Sequence, residues 1–215
     1  LERLTLGLVA ALEVANSMND SDTANHIRRV GAFAGMLAQR MGCDELFIDQ
    51  IRRYAGLHDV GKVGIPDSIL LKPGKLTVDE YDVMKTHTMT GAELLRGLMA
   101  DFGEYALITM GAEVALGHHE WWDGSGYPNG LSGAAIPLSG RIVAVADVYD
   151  SLATRRVYKR EWNVAEAMEG SFSKKHLLEF GYCPYKWWGG SIQILKSIII
   201  ICYFFFQAED GIRNF

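Results

Sequence analysis

The chain has 215 residues, with 21 Lys+Arg against 26 Asp+Glu and a formal net charge of −5; 49% of its residues are apolar and 22% charged. That balance is ordinary for a globular domain long enough to bury a core, and its mild acidity argues against a basic groove for a nucleic-acid polymer, although a small phosphorylated ligand needs only a few local cations. Three scattered cysteines, Cys43, Cys183 and Cys202, disfavour a disulfide framework and suit a reducing, cytoplasmic setting.

Leu4, Leu8, Ala11 and Leu12 fall at helical spacing, while Glu2 and Glu13 spoil both the basic start and the unbroken apolar run of a signal peptide. The reading is an amphipathic helix entered partway, in a fragment of a longer protein, with this N-terminal helix a candidate surface for a homodimer. From Asp22 to Met41, Ile27, Val30, Ala34, Leu37 and Met41 form one stripe. Asp44 can cap a helix carrying Phe47, Ile51, Tyr54 and Ala55, and His58 continues that stripe toward the core. Pro66 to Gly74 reads as a turn-rich connection. Thr77 and Glu80 form a capping box that starts a helix bearing Tyr81, Met84, His87 and Leu95. A further helix runs from about Glu104 to His118 through Leu107, Gly111 and Val114. Residues 120 to 137 hold six Gly or Pro, an ordered loop of a length that is usually functional. A last clear helix spans about Leu138 to Thr154. The fold class is all-α.

The C-terminal end reads differently. Residues 1 to 169 carry 16 basic and 23 acidic side chains, whereas 170 to 215 carry 5 and 3. The tail holds Trp187-Trp188, Ser197-Ile198-Ile199-Ile200-Ile201-Cys202 and Tyr203-Phe204-Phe205-Phe206, an apolar stretch shorter than the roughly 18 residues of a membrane span. A buried strand is one alternative. The favoured expectation is that Phe204 to Arg213 resembles translated sequencing-adapter DNA, making 170–215 an aberrant, frameshifted or assembly-derived tail, with function residing in 1–169.

Five of the six histidines lie in the first 119 residues, and only His176 stands apart. The His58-Asp59 pair by itself is an ordinary dipeptide. His26, however, sits one helical turn after Asp22, His118 extends the Leu107-Gly111-Val114 stripe with His119 beside it, and Asp147 lies within the apolar run Ile142-Val143-Ala144-Val145-Ala146, where an unpaired carboxylate is costly. Five histidines and three aspartates projecting inward from separate helices suggest a metal cluster, and imidazole plus carboxylate ligands suit iron, manganese or zinc. Lys62 can place an ammonium by the same point; a solvated lysine in a turn is the plainer alternative.

Taken together, these segments resemble the HD-GYP domain, a subgroup of the HD metal-dependent phosphohydrolases. The matching residues are Asp22 to Val30; His58-Asp59-Val60-Gly61-Lys62-Val63-Gly64-Ile65-Pro66-Asp67; Leu71-Lys72-Pro73-Gly74-Lys75-Leu76-Thr77; His87; and Gly117-His118-His119-Glu120 followed by Asp123-Gly124-Ser125-Gly126-Tyr127-Pro128. Asp147-Val148-Tyr149-Asp150-Ser151-Leu152 completes the set. The resemblance covers about residues 1 to 169. It implies a helical bundle and a metal-dependent cyclic di-GMP phosphodiesterase yielding pGpG or GMP.

The same resemblance implies that His26, His58, Asp59 and Asp147 hold one divalent metal, and that His87, His118 and His119 hold a second, with Asp59 bridging; iron or manganese is expected. Some members hold a third metal through a Glu four residues before the first His. Asp22 occupies that place one methylene short, which weakens the case for a third ion. Asp59 and Lys62 are the implied catalytic residues. Lys62, Asp150, Arg156 and Lys159 are the implied substrate contacts, Tyr158 lies among them, and Trp121 or Trp122 could stack on a base. Asp123, Gly124, Gly126, Tyr127 and Pro128 form the loop that names the subgroup. An upstream sensory or receiver domain is the implied partner, with no membrane and no nucleic-acid polymer. The one or two closing helices usual after this point are missing, since the pattern fades past Glu161 to Met168. A phosphohydrolase on another nucleotide, or a catalytically silent cyclic-dinucleotide sensor, are the competing readings.

Overall fold

The computed structural model of the chain describes residues 23–102 and 106–153. Over this span there are seven α-helices: α1 (Thr23–Arg40), α2 (Glu45–Tyr54), α3 (Asp67–Leu70), α4 (Val78–Lys85), α5 (His87–Phe102), α6 (Ala106–Gly117) and α7 (Leu138–Ala153). Two 3-10 segments, Ala55–Gly64 and Gly133–Ala135, complete the regular structure. No strand occurs among the described residues; Asp123 and Ser132 form an isolated bridge within the long loop. No helix there is long and apolar enough to cross a membrane. The N-terminal helix, Asp22, Arg156, Tyr158, Lys159, His176 and the tail from residue 170 lie outside the described residues.

The stripe read on α1 is the buried face, with Ile27, Val30, Ala34 and Leu37 each at most 5% exposed, while Met41 falls past the helix end and is exposed. Val30, Ala34 and Leu37 meet Ile51 of α2, Met110 and Val114 of α6, and Ile142, Val143, Val145 and Ala146 of α7 in one apolar cluster. A second cluster joins Leu57 and Val60 of the first 3-10 segment to Ala92 and Leu95 of α5 and to Ile108, Ala112 and Ala115 of α6. Helix α6 contributes to both.

Local chemistry sets the element ends. The Asp44 carboxylate accepts from the Phe47 backbone N–H at 2.8 Å, starting α2. Both halves of the Thr77–Glu80 capping box are formed at the start of α4. The single helix expected from Thr77 through Leu95 is instead two, α4 and α5, interrupted at Thr86. The Thr86 hydroxyl donates to the Val83 carbonyl at 2.7 Å, His87 Nδ1 to that of Met84 at 2.7 Å, and the Thr88 hydroxyl to that of Lys85 at 2.9 Å. Side chains thus compete for the carbonyls of the last turn and let the axis change direction. The connection read over Pro66 to Gly74 contains the one-turn α3.

His58 and Asp59 do not ride on a continued α2 either. They lie in the 3-10 segment Ala55–Gly64, which holds three glycines. Gly61 presses its backbone against the start of α5: a Cβ there would stand 1.9 Å from the His87 carbonyl oxygen and 2.4 Å from the Gly91 nitrogen. Only a glycine permits this approach, which carries the His58-Asp59 pair to the His87 end of α5.

Candidate metal centre

Seven side chains from three helices, the 3-10 segment and the loop after α6 converge. His26 projects from the first turns of α1, His58 and Asp59 from the 3-10 segment, His87 from the start of α5, and Asp147 from the second half of α7; His118 and His119 follow the end of α6. They fall into two groups whose potential ligand atoms lie within 4.8 Å of one another: His26, His58 and Asp147, and His87, His118 and His119. Asp59 stands between the groups. Its Oδ2 is 3.3 Å from His58 Nε2, and its Oδ1 is 3.5 Å from His87 Nε2 and 3.9 Å from His118 Nε2.

Three of the imidazoles are oriented in the same way. His58 Nδ1 donates to the Ala55 carbonyl at 2.8 Å, His87 Nδ1 to that of Met84 at 2.7 Å, and His118 Nδ1 to those of Val114 and Ala115 at 3.1 and 3.0 Å. A carbonyl only accepts, so the proton sits on Nδ1 and the Nε2 lone pair is aimed at the centre. The result is a concentration of imidazole lone pairs. His58 Nε2 is buried with no hydrogen-bond partner among the described residues, and His87 Nε2 faces His118 Nε2 at 3.4 Å. Two lone pairs at that distance repel unless a cation stands near them. The residues present therefore fit a metal: imidazole nitrogens aimed at a central carboxylate, with the Nδ1 hydrogens of His58, His87 and His118 tied to backbone oxygens, as metal-binding histidines require.

Electrostatics differs between the two halves. Burial opposes the charge of His26, but the carboxylates of Asp147, at 3.3 Å, and Asp150, at 2.7 Å, outweigh it and push its pKa up to about 9. On the other side, burial pushes His87 down, and burial together with neighbouring imidazoles pushes His118 well below its usual range and His119 down to about 3. Those three rings are neutral and ready to donate lone pairs. Burial also opposes the charge on Asp59, yet the Lys62 ammonium and His58 hold its pKa well below the usual carboxylate range. Against burial, Asp59 raises the pKa of His58, so in the metal-free chain a proton competes for the same Nε2.

Lys62, read from sequence as lying beyond His58, acts first on Asp59: its Nζ donates to Oδ2 at 2.5 Å. In a 3-10 turn residues three apart eclipse, so Lys62 stacks over Asp59. Asp150, implied by the resemblance as a substrate contact, lies against Arg29 and His26. Only 2% exposed, it accepts from Arg29 Nε at 2.5 Å, Arg29 Nη2 at 2.9 Å and His26 Nδ1 at 2.7 Å. Both oxygens are thereby engaged in fixing His26, and Asp150 is a positioning residue in this arrangement. Trp121 packs on the first apolar cluster, and Trp122 lies 5.6 Å from the Arg141 guanidinium.

Sequence reasoning assigned no role to Arg29 or Glu120, although both stand within the matched segments. Glu120 is 3% exposed and accepts from the backbone N–H groups of Asn129 at 2.7 Å and Leu131 at 2.9 Å, which cinches the loop. The signal for it was an acidic residue directly after a His pair, ahead of a Gly-rich loop full of orphan N–H groups. Asp123 organises the loop tip, accepting from the Ser125 N–H at 3.0 Å and the Ser125 hydroxyl at 2.5 Å. The Tyr127–Pro128 peptide is cis.

Comparison with known proteins agrees with this architecture. The sequence profile of the HD domain matches residues 12–171. The chain is 47% identical over 163 residues to a cyclic di-GMP phosphodiesterase of Thermotoga maritima, covering 74% of this chain and 43% of that protein. It is also 47% identical over 174 residues to the cyclic di-GMP phosphodiesterase response regulator RpfG of Xanthomonas campestris pv. campestris, covering 81% and 44%. The chain thus spans less than half the length of these relatives. Among solved structures, the HD domain of the L. monocytogenes phosphodiesterase PgpH superposes with a TM-score of 0.57 at 19% identity, covering 94% of this chain and 98% of that one, a likeness of fold.

Proposed function

Since the chain belongs to the HD domain family, in its HD-GYP subgroup, we propose that it is a metal-dependent phosphodiesterase that hydrolyses cyclic di-GMP to pGpG or GMP. The observation that carries this reading is Asp59, whose two oxygens face His58 on one side and His87 and His118 on the other. HD domains depend on divalent metal. His26, His58, Asp59 and Asp147 would hold one ion, and His87, His118, His119 and Asp59 the other; iron or manganese suits imidazole and carboxylate donors without thiolate. Such a pair supplies a nucleophilic water at neutral pH and neutralises charge on the phosphoryl oxygens.

The chain's own residues do the rest. Asp150 and Arg29 fix the His26 ring, three backbone carbonyls fix His58, His87 and His118, and the Lys62 ammonium, a third exposed, is placed to meet a phosphate oxygen as negative charge builds. Arg156 and Lys159 are proposed as further phosphate or guanine contacts, from the resemblance alone. Two relatives named as cyclic di-GMP phosphodiesterases at 47% identity support the substrate. The response-regulator relative, more than twice the length aligned, supports an upstream receiver or sensory domain. The profile match over residues 12–171 supports treating 1–169 as the catalytic domain, while 170–215 as an aberrant tail rests on its sequence alone.

The test is turnover of a panel of cyclic dinucleotides and mononucleotides with Mn(II) or anaerobic Fe(II), alongside metal analysis of anaerobically purified protein. Expected are about two metals per folded chain and hydrolysis of cyclic di-GMP ahead of the rest of the panel. Fewer than one metal per folded chain sinks the metal reading, and preference for another nucleotide sinks the substrate.

A further inference from the structure

His119 differs from the other histidines around Asp59. His58, His87 and His118 are each locked by an Nδ1 hydrogen bond to a backbone carbonyl, and His26 by Asp150. Among the described residues no such bond fixes the His119 ring. Its neighbours are aromatic: Tyr127 lies stacked on it, with ring centroids 4.7 Å apart and planes at 24°, and the rings of His87 and His118 lie 5.3 and 4.0 Å away. Imidazoles crowded around shared lone pairs do not orient one another. The Tyr127 face does.

Tyr127 is itself tightly held. Its backbone N–H donates to the His119 carbonyl at 3.0 Å, so the loop folds straight back onto the residue it covers. Gly126 makes this possible: a Cβ there would stand 2.3 Å from the Trp121 nitrogen and 2.6 Å from the His119 carbonyl oxygen. Glu120 closes the far side of the loop through Asn129 and Leu131. From α4, Tyr81 meets the Tyr127 ring edge-on at 6.4 Å, and the Lys85 ammonium stands 6.0 Å from the Tyr127 centroid.

We infer that Tyr127 is the positioning residue for His119, its ring fixing by stacking the imidazole that no carbonyl fixes, with Glu120 holding Tyr127 in register. The inference rests on the proposed role of His119 as a metal ligand and adds how that ligand is aimed. It separates two features of the loop: the glycines and Glu120 decide where the tyrosine goes, and the flat face of the tyrosine acts.

Mn(II) titration followed by electron paramagnetic resonance tests this on the full chain, comparing wild type, Tyr127→Leu, Tyr127→Phe and Glu120→Gln, with far-UV circular dichroism to show that each is folded. In wild type two ions should bind with coupled spins. Tyr127→Leu should weaken one of the two ions by on the order of 10–100-fold, the range for losing a group that orients a ligand, and lose the coupled signal at limiting Mn(II). Tyr127→Phe should restore both. Glu120→Gln, which sets an amide N–H against a backbone donor, should fall between. Two equally tight ions in Tyr127→Leu, or a Phe variant as impaired as the Leu one, would overturn the inference while leaving the metal centre standing. A folded wild type that binds no Mn(II) overturns both.

Discussion

At the residue scale, Asp59 is the group on which both halves of the centre depend. It is buried enough that its charge is costly, and Lys62 and His58 keep it ionised nonetheless. Asp59→Asn keeps the shape but removes the charge that both imidazole groups face. The expected outcome is metal content and turnover lost together while the helical circular dichroism spectrum stays as in wild type. Lys62→Ala should retain the metals and slow turnover by on the order of 10²–10³-fold, the scale for losing one electrostatic contact to the transition state. A Lys62→Ala enzyme at full rate would confine Lys62 to its ion pair with Asp59.

Helix ends deliver four of the five histidines. His26 stands in the opening turns of α1, His87 at the first position of α5, and His118 and His119 just past α6. Backbone groups are left over at helix ends, and the imidazoles of His87 and His118 take up nearby carbonyls there. The start of α4 makes a direct test of end chemistry. Thr77→Ala removes the hydroxyl that accepts from the Glu80 N–H and should lower stability by about 1 kcal/mol in urea unfolding. Hydrogen bonds from Lys72, at 2.7 and 2.6 Å, and from the Thr77 N–H hold the Glu80 pKa below its usual value. A depressed carboxylate pKa stabilises the fold at pH values above the unfolded pKa, and that contribution is lost as pH falls through the lower folded one. Carboxyl-carbon NMR should therefore show Glu80 titrating below ordinary glutamates, and Lys72→Ala should bring its midpoint back up.

For the whole molecule, the centre lies where two apolar clusters meet, with α6 running through both. Any ion bound there ties α1, the 3-10 segment, α5, α6 and α7 together, and binds the folded chain far better than the unfolded one. Linkage then raises stability by about 2.7 kcal/mol at a free metal concentration a hundredfold above Kd. Thermal unfolding should move to lower temperature on chelation and return when Mn(II) is restored. A melting temperature indifferent to chelator in protein shown to carry metal would contradict a centre that joins five elements.

Much of this protein is legible in its amino-acid order, because periodicity and caps are local. The stripe on α1, the Asp44 cap, the Thr77–Glu80 box and the run of α7 follow from residues within a few positions of one another. The histidines and Asp59 announce themselves through short segments whose chemistry a packed core does not need. What only the tertiary structure decided is nonlocal. The break at Thr86 depends on side chains outcompeting the backbone for carbonyls once His87 is drawn to the centre, and the 3-10 path of His58-Asp59 depends on Gly61 lying against the backbone of α5. Asp150 reads in the sequence only as a substrate contact implied by the resemblance, and its tie to Arg29, 121 positions away, which engages both of its oxygens, comes from the fold. Glu120 and Tyr127 gain their roles only when the loop folds back on His119. Sequence supplied the ligand types, and folding decided what holds each one still, because orientation is set by whatever lies across the site rather than by what lies next in the chain.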